Sequence, residues 1–333
     1  MKSRLNNTHK FIILITVSLV LMFIFSVLSM VIGQKKIAVI EVLRALFKYD
    51  GSYDHEIVRD FRLPRVFAGI FVGASLSVTG AIMQGNTKNP LADSGLMGIT
   101  SGSMFSVILL MTYLPHVSIY GRIGISCLGA GLATGLIYLI AYIGRKGLKP
   151  ERMILSGMAI STLFGSISTA IVLQNGKTSE MVRYMSGSVS NANWEEILVA
   201  LPIFIIGIIL AIALSRTLTV MNLGDDVSSG LGANIRTTKV VSTVIVFLLS
   251  AIAFIIIGPV AYIGLMVPHV VRKVVGTDYR FVLPGSIILG STFILVMDFI
   301  ARNIQRNHEF PIGILIAMIG VPFFIFISRR SLK

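Results

Sequence analysis

A succession of ten apolar runs, almost free of charged residues, occupies most of this 333-residue chain. Most runs approach the roughly 20 residues that a helix needs to cross a bilayer core, and a charge at the centre of such a helix costs roughly 2.5–3.5 kcal/mol. Only 13% of the residues are charged, against about a quarter in soluble domains. We therefore predict an all-α polytopic membrane protein with ten transmembrane helices, at residues 11–33, 64–85, 95–114, 123–143, 153–173, 197–215, 238–257, 259–270, 281–301 and 311–328.

The charges between the runs predict the orientation of the chain. Ten spans put both termini on one side of the membrane. If that side is the cytoplasm, 17 of the 29 Lys and Arg residues fall on it, but only 5 of the 15 Asp and Glu residues, in keeping with the positive-inside rule. Since this basic excess flanks the membrane, it does not indicate a nucleic-acid partner. We expect a single transmembrane domain over 1–333 in the cell membrane, with a short cytoplasmic tail at 1–10.

The strip 258–272 is interrupted by Pro259 and Pro268. About ten residues separate the two prolines, which at ~1.5 Å per residue is about half of a bilayer core. Proline lacks an amide donor and clashes with the preceding turn, so we expect neither end of this short span to extend as regular helix. Broken backbone inside a membrane has to be satisfied by protein or a wet cavity. The strip therefore indicates packed protein around a translocation pathway.

Four arginines are predicted at the outer membrane face. Arg62 and Arg65 flank the start of the second span, while Arg302 and Arg306 follow Asp298 at i+4 and i+8. An exposed Asp–Arg pair at this spacing contributes only ~0.3–0.5 kcal/mol, so stability is a weak reason for the series. Arginine binds carboxylates bidentately. These residues suit an acidic docking partner, and membrane-surface anchoring is the alternative.

The inner segment 222–234 is too short and too polar to cross the membrane. Asp225 and Asp226 would complement the dipole at a helix N-terminus, and Gly232 can end that helix. We predict a short helix that can press against a cytosolic partner; an ordinary ordered loop is the alternative.

The outer connection 34–61 carries a second short amphipathic pattern. Its apolar residues recur at helical spacing, at Val39, Leu43, Leu46 and Phe47. The pattern predicts a helix on the outer surface, which we interpret as a structural lid over the outer helix ends.

Enzyme motifs are absent from the sequence. There is no phosphate-binding G-x-x-x-x-G-K-[ST] loop and no H-E-x-x-H, and the five histidines are far apart along the chain. His269 is better explained as a structural hydrogen-bonding residue than as a metal ligand. We predict no catalytic residue and no metal site.

Taken together, these segments resemble the FecCD-type permeases, the membrane subunits of ABC importers for ferric siderophores, haem and vitamin B12. The resemblance extends from the second span to the tenth, and Ser94, Tyr184 and Phe310 are minor departures from the family pattern. It depends on the order and spacing of these markers: Arg62-Leu-Pro-Arg65, Gly73-Ala74, Gly80, Gln84, Asn89-Pro-Leu-Ala92, Gly95, Gly98, Gly102, Ser186-Gly-Ser188, Trp194, Leu223-Gly224, Leu231-Gly232, Pro268-His269, Arg272, Asp298, Arg302, Glu309-Phe-Pro-Ile-Gly313 and Gly320-Val-Pro-Phe323.

The resemblance implies a type II ABC importer permease fold and a set of partners. These are an identical or related second permease, two cytosolic ATPase subunits that use the ATP, and an extracytoplasmic substrate-binding protein. This chain itself would bind no cofactor. By motif position, Arg62, Arg65 and Arg302 would meet glutamates of the binding protein. The ATPase would contact Leu223, Gly224, Asp225, Asp226, Leu231 and Gly232, and the structural or gating residues would be Pro259, Gly264, Pro268, His269, Arg272, Asn89 and Pro90.

The function expected from these features is ATP-driven import of a ferric siderophore complex. The nearest alternative keeps the same machine and carries haem or cobalamin. An ion-coupled secondary transporter is the alternative from another class; it would need an ion site within the membrane, and Asp298 is the only acid inside any predicted span. A structural scaffold would leave the broken eighth span unexplained.

Overall fold

A computed structural model of the chain describes all residues except 1, 91, 94–97, 144–149, 180–184, 186, 190–191, 223, 231–233, 305–309 and 332–333. At 2–6, 143, 150–151, 153–154, 225–227 and 328–331 it describes the backbone alone. The elements in chain order are α1 (Lys2–Val31), α2 (Val39–Phe47), α3 (Tyr53–Glu56), a π-helical turn (Ile57–Arg62), α4 (Leu63–Thr87), α5 (Ile99–Tyr113), α6 (Ile119–Ile143), α7 (Pro150–Gln174), α8 (Trp194–Ala213), α9 (Ser215–Met221), α10 (Asp225–Gly230), α11 (Ile235–Ile257), α12 (Ile263–Val275), α13 (Tyr279–Ile304) and α14 (Ile312–Ser331).

The chain is an all-helical multi-pass membrane protein, as predicted. Two shorter apolar helices, Ile99–Tyr113 and Ile312–Ile327, accompany the long ones. Within the described part of the chain, seven helices are long and apolar enough to cross a membrane: Asn7–Val31, Tyr53–Thr87, Ile119–Tyr142, Leu155–Gln174, Trp194–Ala213, Ile235–Ile257 and Tyr279–Ile304.

The tail predicted at 1–10 belongs to the helix that begins at Lys2, and its cytoplasmic location stays a prediction. The bounds of the eighth predicted span differ from those in the structure. The short span predicted at 259–270 begins instead at Ile263 and ends at Val275, with Pro268 in its interior. The expectation that Pro268 ends the helix is therefore wrong, and the reason lies in the side chain that replaces its missing amide.

The central helix of the bundle is α4, most of which is buried. Glycines let two neighbouring helices approach its backbone, as expected for helix packing in membranes. A Cβ atom on Gly73 would lie 2.3 Å from the carbonyl oxygen of Gly290 in α13, and one on Gly80 would lie 1.9 Å from that of Gly264 in α12. The close contact with α12 brings the broken helix against the centre of the bundle.

Candidate functional site

The break before α12 depends on two residues with positive φ. The chain leaves α11 through Gly258 (φ +77) and enters α12 through Tyr262 (φ +71). Glycine adopts this region freely, whereas a tyrosine there costs of order 1–3 kcal/mol and has to be held by its surroundings. The tyrosine ring fills the space beside Gly320 of α14, where a Cβ atom would lie 2.5 Å from the Cγ of Tyr262. Helix α14 therefore helps to hold the break.

A side chain from α4 replaces the hydrogen bond that Pro268 cannot make. In regular helix the amide of residue 268 would donate to the carbonyl oxygen of Gly264, four residues earlier. Proline has no such amide, and the Nε2 of Gln84 donates to this oxygen instead, at 3.0 Å in a buried environment. The backbone of α12 can therefore continue through Pro268 without leaving a buried carbonyl unpaired.

Gln84 also connects this carbonyl to the inner end of α12. The guanidinium of Arg272 donates to the Oε1 of Gln84. The side chain of Tyr279, in α13, interacts with both Arg272 and Asn222, and its hydroxyl donates to the carbonyl oxygen of Ala81 at 3.2 Å. Hydrogen bonds thus connect the broken helix to α4, and Tyr279 lies between Arg272 and Asn222, the residue that begins the inner segment 222–234.

The other predicted gating residues lie around the same helix. The ring of His269 meets that of Phe323 edge-to-face, with centroids 5.8 Å apart, so its observed contact is aromatic. Asn89 lies in the turn after α4, where its carbonyl accepts from the amide of Ala92 at 3.1 Å, and Pro90 is exposed. The loop then returns to α12.

The loop residue that lies against α12 is Asp93, which is buried. A Cβ atom on Gly264 would lie 2.5 Å from the Oδ1 of Asp93. The structure therefore brings Gly264, Pro268 and Arg272 together with Gln84, to which the sequence analysis assigned no role. An amide side chain inside an apolar span was the available signal, because such groups in membranes usually find a partner on another helix.

At the other end of the bundle, Arg65 and Asp298 form a buried bidentate ion pair between α4 and α13. The Nε of Arg65 lies 3.0 Å from both carboxylate oxygens, and its Nη2 lies 2.8 Å from Oδ1. The two side chains are 11% and 4% exposed. Asp298 thus pairs with an arginine on a helix that is distant in sequence, although Arg302 follows it at the i+4 position.

Arg62 and Arg302 both bind backbone carbonyls at the end of α1 and in the segment that follows it. Arg62 donates to the carbonyl oxygens of Met30 and Lys35, and Arg302 donates to those of Ser29 and Ile32 at 3.2 and 3.3 Å. The last carbonyls of a helix have no partners within it and carry partial negative charge, so they attract these two guanidinium groups. All three predicted docking arginines therefore converge on one end of the bundle and already have intramolecular acceptors; Arg306 lies outside the described residues.

The predicted inner helix is present as α10, Asp225–Gly230. Gly224 precedes it with φ +118, and the hydroxyl of Ser228 donates to the carbonyl oxygen of Val220 at 2.9 Å, fastening α10 to α9. The side chain of Asn234 caps α11 by accepting from the amide of Thr237 at 3.1 Å. Leu223, Leu231 and Gly232 lie outside the described residues, as do the side chains of Asp225 and Asp226.

A stripe of hydroxyl side chains lies on the exposed side of α7. Thr162, Ser166 and Thr169 are all exposed. The two threonine hydroxyls donate to the carbonyl oxygens of Met158 and Gly165, each at 2.9 Å. Intramembrane polar groups generally face protein or a wet cavity rather than lipid, so this face suits a subunit interface or a pathway.

One cluster of titratable side chains lies beneath α2. His55 is fully buried, with its Nδ1 2.7 Å from the Oδ1 of Asp50 and its Nε2 3.4 Å from the Oε2 of Glu41. Among the residues that the structure describes, no three His, Cys, Asp or Glu side chains are grouped so that they could hold a metal ion. His55, in α3, therefore lies close to α2, and its Nε2 has no hydrogen-bond partner among the described residues.

Comparison with known proteins gives consistent matches over nearly the whole chain. The model of the FecCD transport family matches residues 20–330. The Fe(3+)-citrate import system permease protein YfmD of Bacillus subtilis (strain 168) is 36% identical over 312 residues, which is 93% of this chain and 93% of that protein. The iron(3+)-hydroxamate import system permease protein FhuB of the same organism is 37% identical over 327 residues, covering 98% of this chain and 85% of its own.

Similarity extends to a solved structure. A chain described as a metal-chelate type ABC transporter in an inward-facing conformation superposes with a TM-score of 0.80 at 26% identity. The match covers 95% of this chain and 98% of the other.

Proposed function

We propose that this chain, which belongs to the FecCD transport family and is a membrane permease subunit of an ABC importer, carries ferric siderophore complexes across the cell membrane. The observation that carries this assignment is that two relatives, matched over 93% and 98% of this chain, are both named for ferric chelates. A chelate with a large organic shell also suits helices that contain few charges. The permease is not itself an enzyme.

The proposed transport path lies between two permease subunits, each crossing the membrane ten times. Besides the seven long spans, α5 and α14 are apolar, and α12 is the half-length tenth element. The exposed hydroxyls of α7 favour a second permease or a wet pathway beside that helix. The second permease is identical to this chain or a paralogue, and both termini lie in the cytoplasm, as the basic flanks favour.

Energy is supplied by two separate cytosolic ATPase subunits, and this chain binds no cofactor of its own. The proposed ATPase contact is the segment 222–234, through Leu223, Gly224, Asp225, Asp226, Leu231 and Gly232. The proximity of Tyr279 to both Asn222 and Arg272 supports this role, because it places the start of the segment near the broken helix. The gating residues proposed around that helix are Pro259, Gly264, Pro268, His269, Arg272, Asn89 and Pro90.

Replacement of Asp225 and Asp226 by alanine tests the coupling role. Since neither aspartate lies within a span, we expect transport to fall while the thermal unfolding of the purified permease stays unchanged. Unchanged transport by the double variant would remove the assignment of this segment.

The substrate-binding protein is proposed to dock at the end where Arg62, Arg65 and Arg302 converge. Their present acceptors are carbonyl oxygens and Asp298, so an incoming carboxylate would compete with these acceptors for the same guanidinium groups. Complementary charges of this kind orient a partner more than they add affinity. Reversal of Arg302 to glutamate should weaken binding-protein capture, and a compensating lysine on the partner should restore it.

Uptake of radioactive iron in a deletion strain tests the cargo. The panel contains ferric hydroxamate, catecholate and citrate chelates, with haem and cobalamin as the alternative cargoes of the same machine. Loss of uptake of at least one ferric siderophore, with uptake restored by the intact gene, supports the proposal. Retained uptake of every ferric siderophore contradicts it, and selective loss of haem or cobalamin uptake assigns the permease to that cargo instead.

A further inference from the structure

The short helix α2 has two faces whose environments are evident. The first face, formed by Val42, Ala45 and Leu46, packs against the protein, and Val42 and Ala45 are buried. The second face carries Glu41 and Arg44, which form an ion pair at 2.6 Å and remain partly exposed. These faces belong to protein and to water, respectively.

The third face is an apolar ridge formed by Val39, Ile40, Leu43 and Phe47. Their exposed fractions are 53%, 55%, 46% and 85%. At 3.6 residues per turn, the centres of the three faces lie about 120° apart around the helix. Burial of apolar surface is favourable in proportion to its area, so the ridge requires a neighbour other than water. That neighbour has to lie on a side that is neither the protein nor the charged face.

The contacts of α2 place it beside the end of the membrane-spanning helix α1. The cluster beneath its protein face includes Met30 and Val31, the last residues of the membrane-spanning helix α1. A helix is about 10–12 Å in diameter, so α2 lies within about one diameter of the end of that span. The polar headgroup region beyond each side of a hydrocarbon core is about 5–8 Å thick. The helix is therefore level with this boundary.

Side chains near α2 have the composition of a membrane–water boundary. Tyr49, Tyr53 and Phe61 expose 45%, 70% and 67% of their surfaces, and Lys48 is exposed at the end of the helix. Tyrosine is enriched at membrane interfaces, and basic residues beside an apolar ridge are typical of helices that lie in the interface plane. These residues favour lipid over a protein neighbour for the ridge.

We propose that α2 is an interfacial anchor whose ridge of Val39, Ile40, Leu43 and Phe47 inserts into the boundary between lipid headgroups and acyl chains. Its charged face then points to water, and its first face holds α1 and the π-helical turn. Since Arg62 ends that turn, the anchor sets the depth at which the three converging arginines lie. The inference concerns a lipid contact of the permease and does not depend on the cargo.

Quenching by brominated lipids tests this placement. The full-length permease is reconstituted into phosphatidylcholine vesicles with bromine near the headgroup end of the acyl chains. The only tryptophan of the chain, Trp194, is replaced by phenylalanine. Single tryptophans are then introduced as Leu43→Trp and Phe47→Trp on the ridge and as Arg44→Trp on the charged face. We expect the two ridge probes to be quenched several-fold more than the control.

Equal, weak quenching at all three positions overturns the proposal. An unquenched but blue-shifted ridge probe also overturns it, since the ridge then faces protein, either a second copy of the permease or the substrate-binding protein. Trp194 donates to the carbonyl oxygen of Arg59 at 2.8 Å, so its removal could perturb the fold. The same probes are therefore also measured with Trp194 retained, and its signal in the parent protein is subtracted.

Discussion

Replacement of Gln84 by methionine should destabilise the permease through the carbonyl that Pro268 leaves without a partner. Methionine is close to glutamine in size, so the substitution leaves little cavity. It has no hydrogen-bond donor. The buried oxygen of Gly264 then loses the Nε2 donor at 3.0 Å. An unpaired buried acceptor costs about 1–3 kcal/mol. Hydrogen bonds between membrane helices average only ~0.6 kcal/mol in one well-studied case. We take this value as the smallest expected loss of unfolding free energy.

A second substitution isolates this bond from the other contacts of Gln84. Pro268→Ala restores the amide that can donate to the carbonyl oxygen of Gly264 within α12. In that background Gln84→Met no longer leaves the oxygen unpaired, and it should cost about 0.6–3 kcal/mol less than in the parent protein. The contact between Arg272 and Gln84 is lost in both backgrounds and cancels in the cycle.

The assay is equilibrium unfolding in mixed micelles of increasing dodecyl sulfate content, followed by near-ultraviolet circular dichroism. Asn86→Leu serves as the matched control, because Asn86 is also on α4 but donates to the Oγ of Ser242 at 2.6 Å. Its cost should be the same with and without Pro268. If the costs of Gln84→Met and Pro268→Ala are simply additive, Gln84 does not replace the missing amide and the account of the broken helix is refuted.

Three further sets of substitutions test other contacts. Gly80→Ala should lower the melting temperature, because its Cβ would lie 1.9 Å from a backbone oxygen and would prevent the close packing of α4 on α12. Gly131→Ala is the control: no atom lies within 4 Å of its Cβ, so the melting temperature should stay unchanged. Similar melting temperatures for the two variants would contradict the close packing. Removal of Arg65 or Asp298 alone should cost about 3–5 kcal/mol of unfolding free energy by leaving a buried charge unpaired, and the double substitution by neutral residues should cost less than the sum; additive costs would argue against the pair. Asp278 lies just before α13, and Arg280 donates to its carboxylate. This bond lowers the pKa of Asp278 below the ordinary value of 3.8, so the carboxylate stabilises the fold above that pH, and the stabilisation is lost as the pH falls through the lower pKa of the folded state. Asp278→Asn should flatten the acid limb of a stability–pH curve, and an unchanged limb would exclude this contribution.

Features set by local pattern could be predicted from the sequence. The apolar runs determine which segments are helices in a membrane, because lipid offers no partner for backbone groups. The spacing of Val39, Leu43 and Phe47 predicted α2, although Leu46, from the same pattern, faces the protein. The prolines at 259 and 268 marked the broken span, but the start of α12 was misplaced because Tyr262 adopts a conformation that only its packing against Gly320 explains.

Features set by tertiary packing could not be predicted. Asp298 has an arginine four residues away, and helical geometry alone favours that pair; the structure pairs it with Arg65, which is 233 residues distant in sequence. Likewise, no local pattern indicates that Gln84 replaces the amide missing at Pro268. Such partners depend on how closely glycines allow helices to approach. The docking and coupling roles of the predicted residues remain predictions.

Reconstitution of the complete importer tests the central claim most directly. The permease, its partner permease, the ATPase subunits and the substrate-binding protein are combined in proteoliposomes, and accumulation of a radioactive ferric siderophore is measured. The account predicts accumulation only when the binding protein is on one side and ATP is on the ATPase side, with loss of uptake when the ATPase is inhibited by vanadate. Uptake that needs no ATP and is driven by a proton gradient would contradict it.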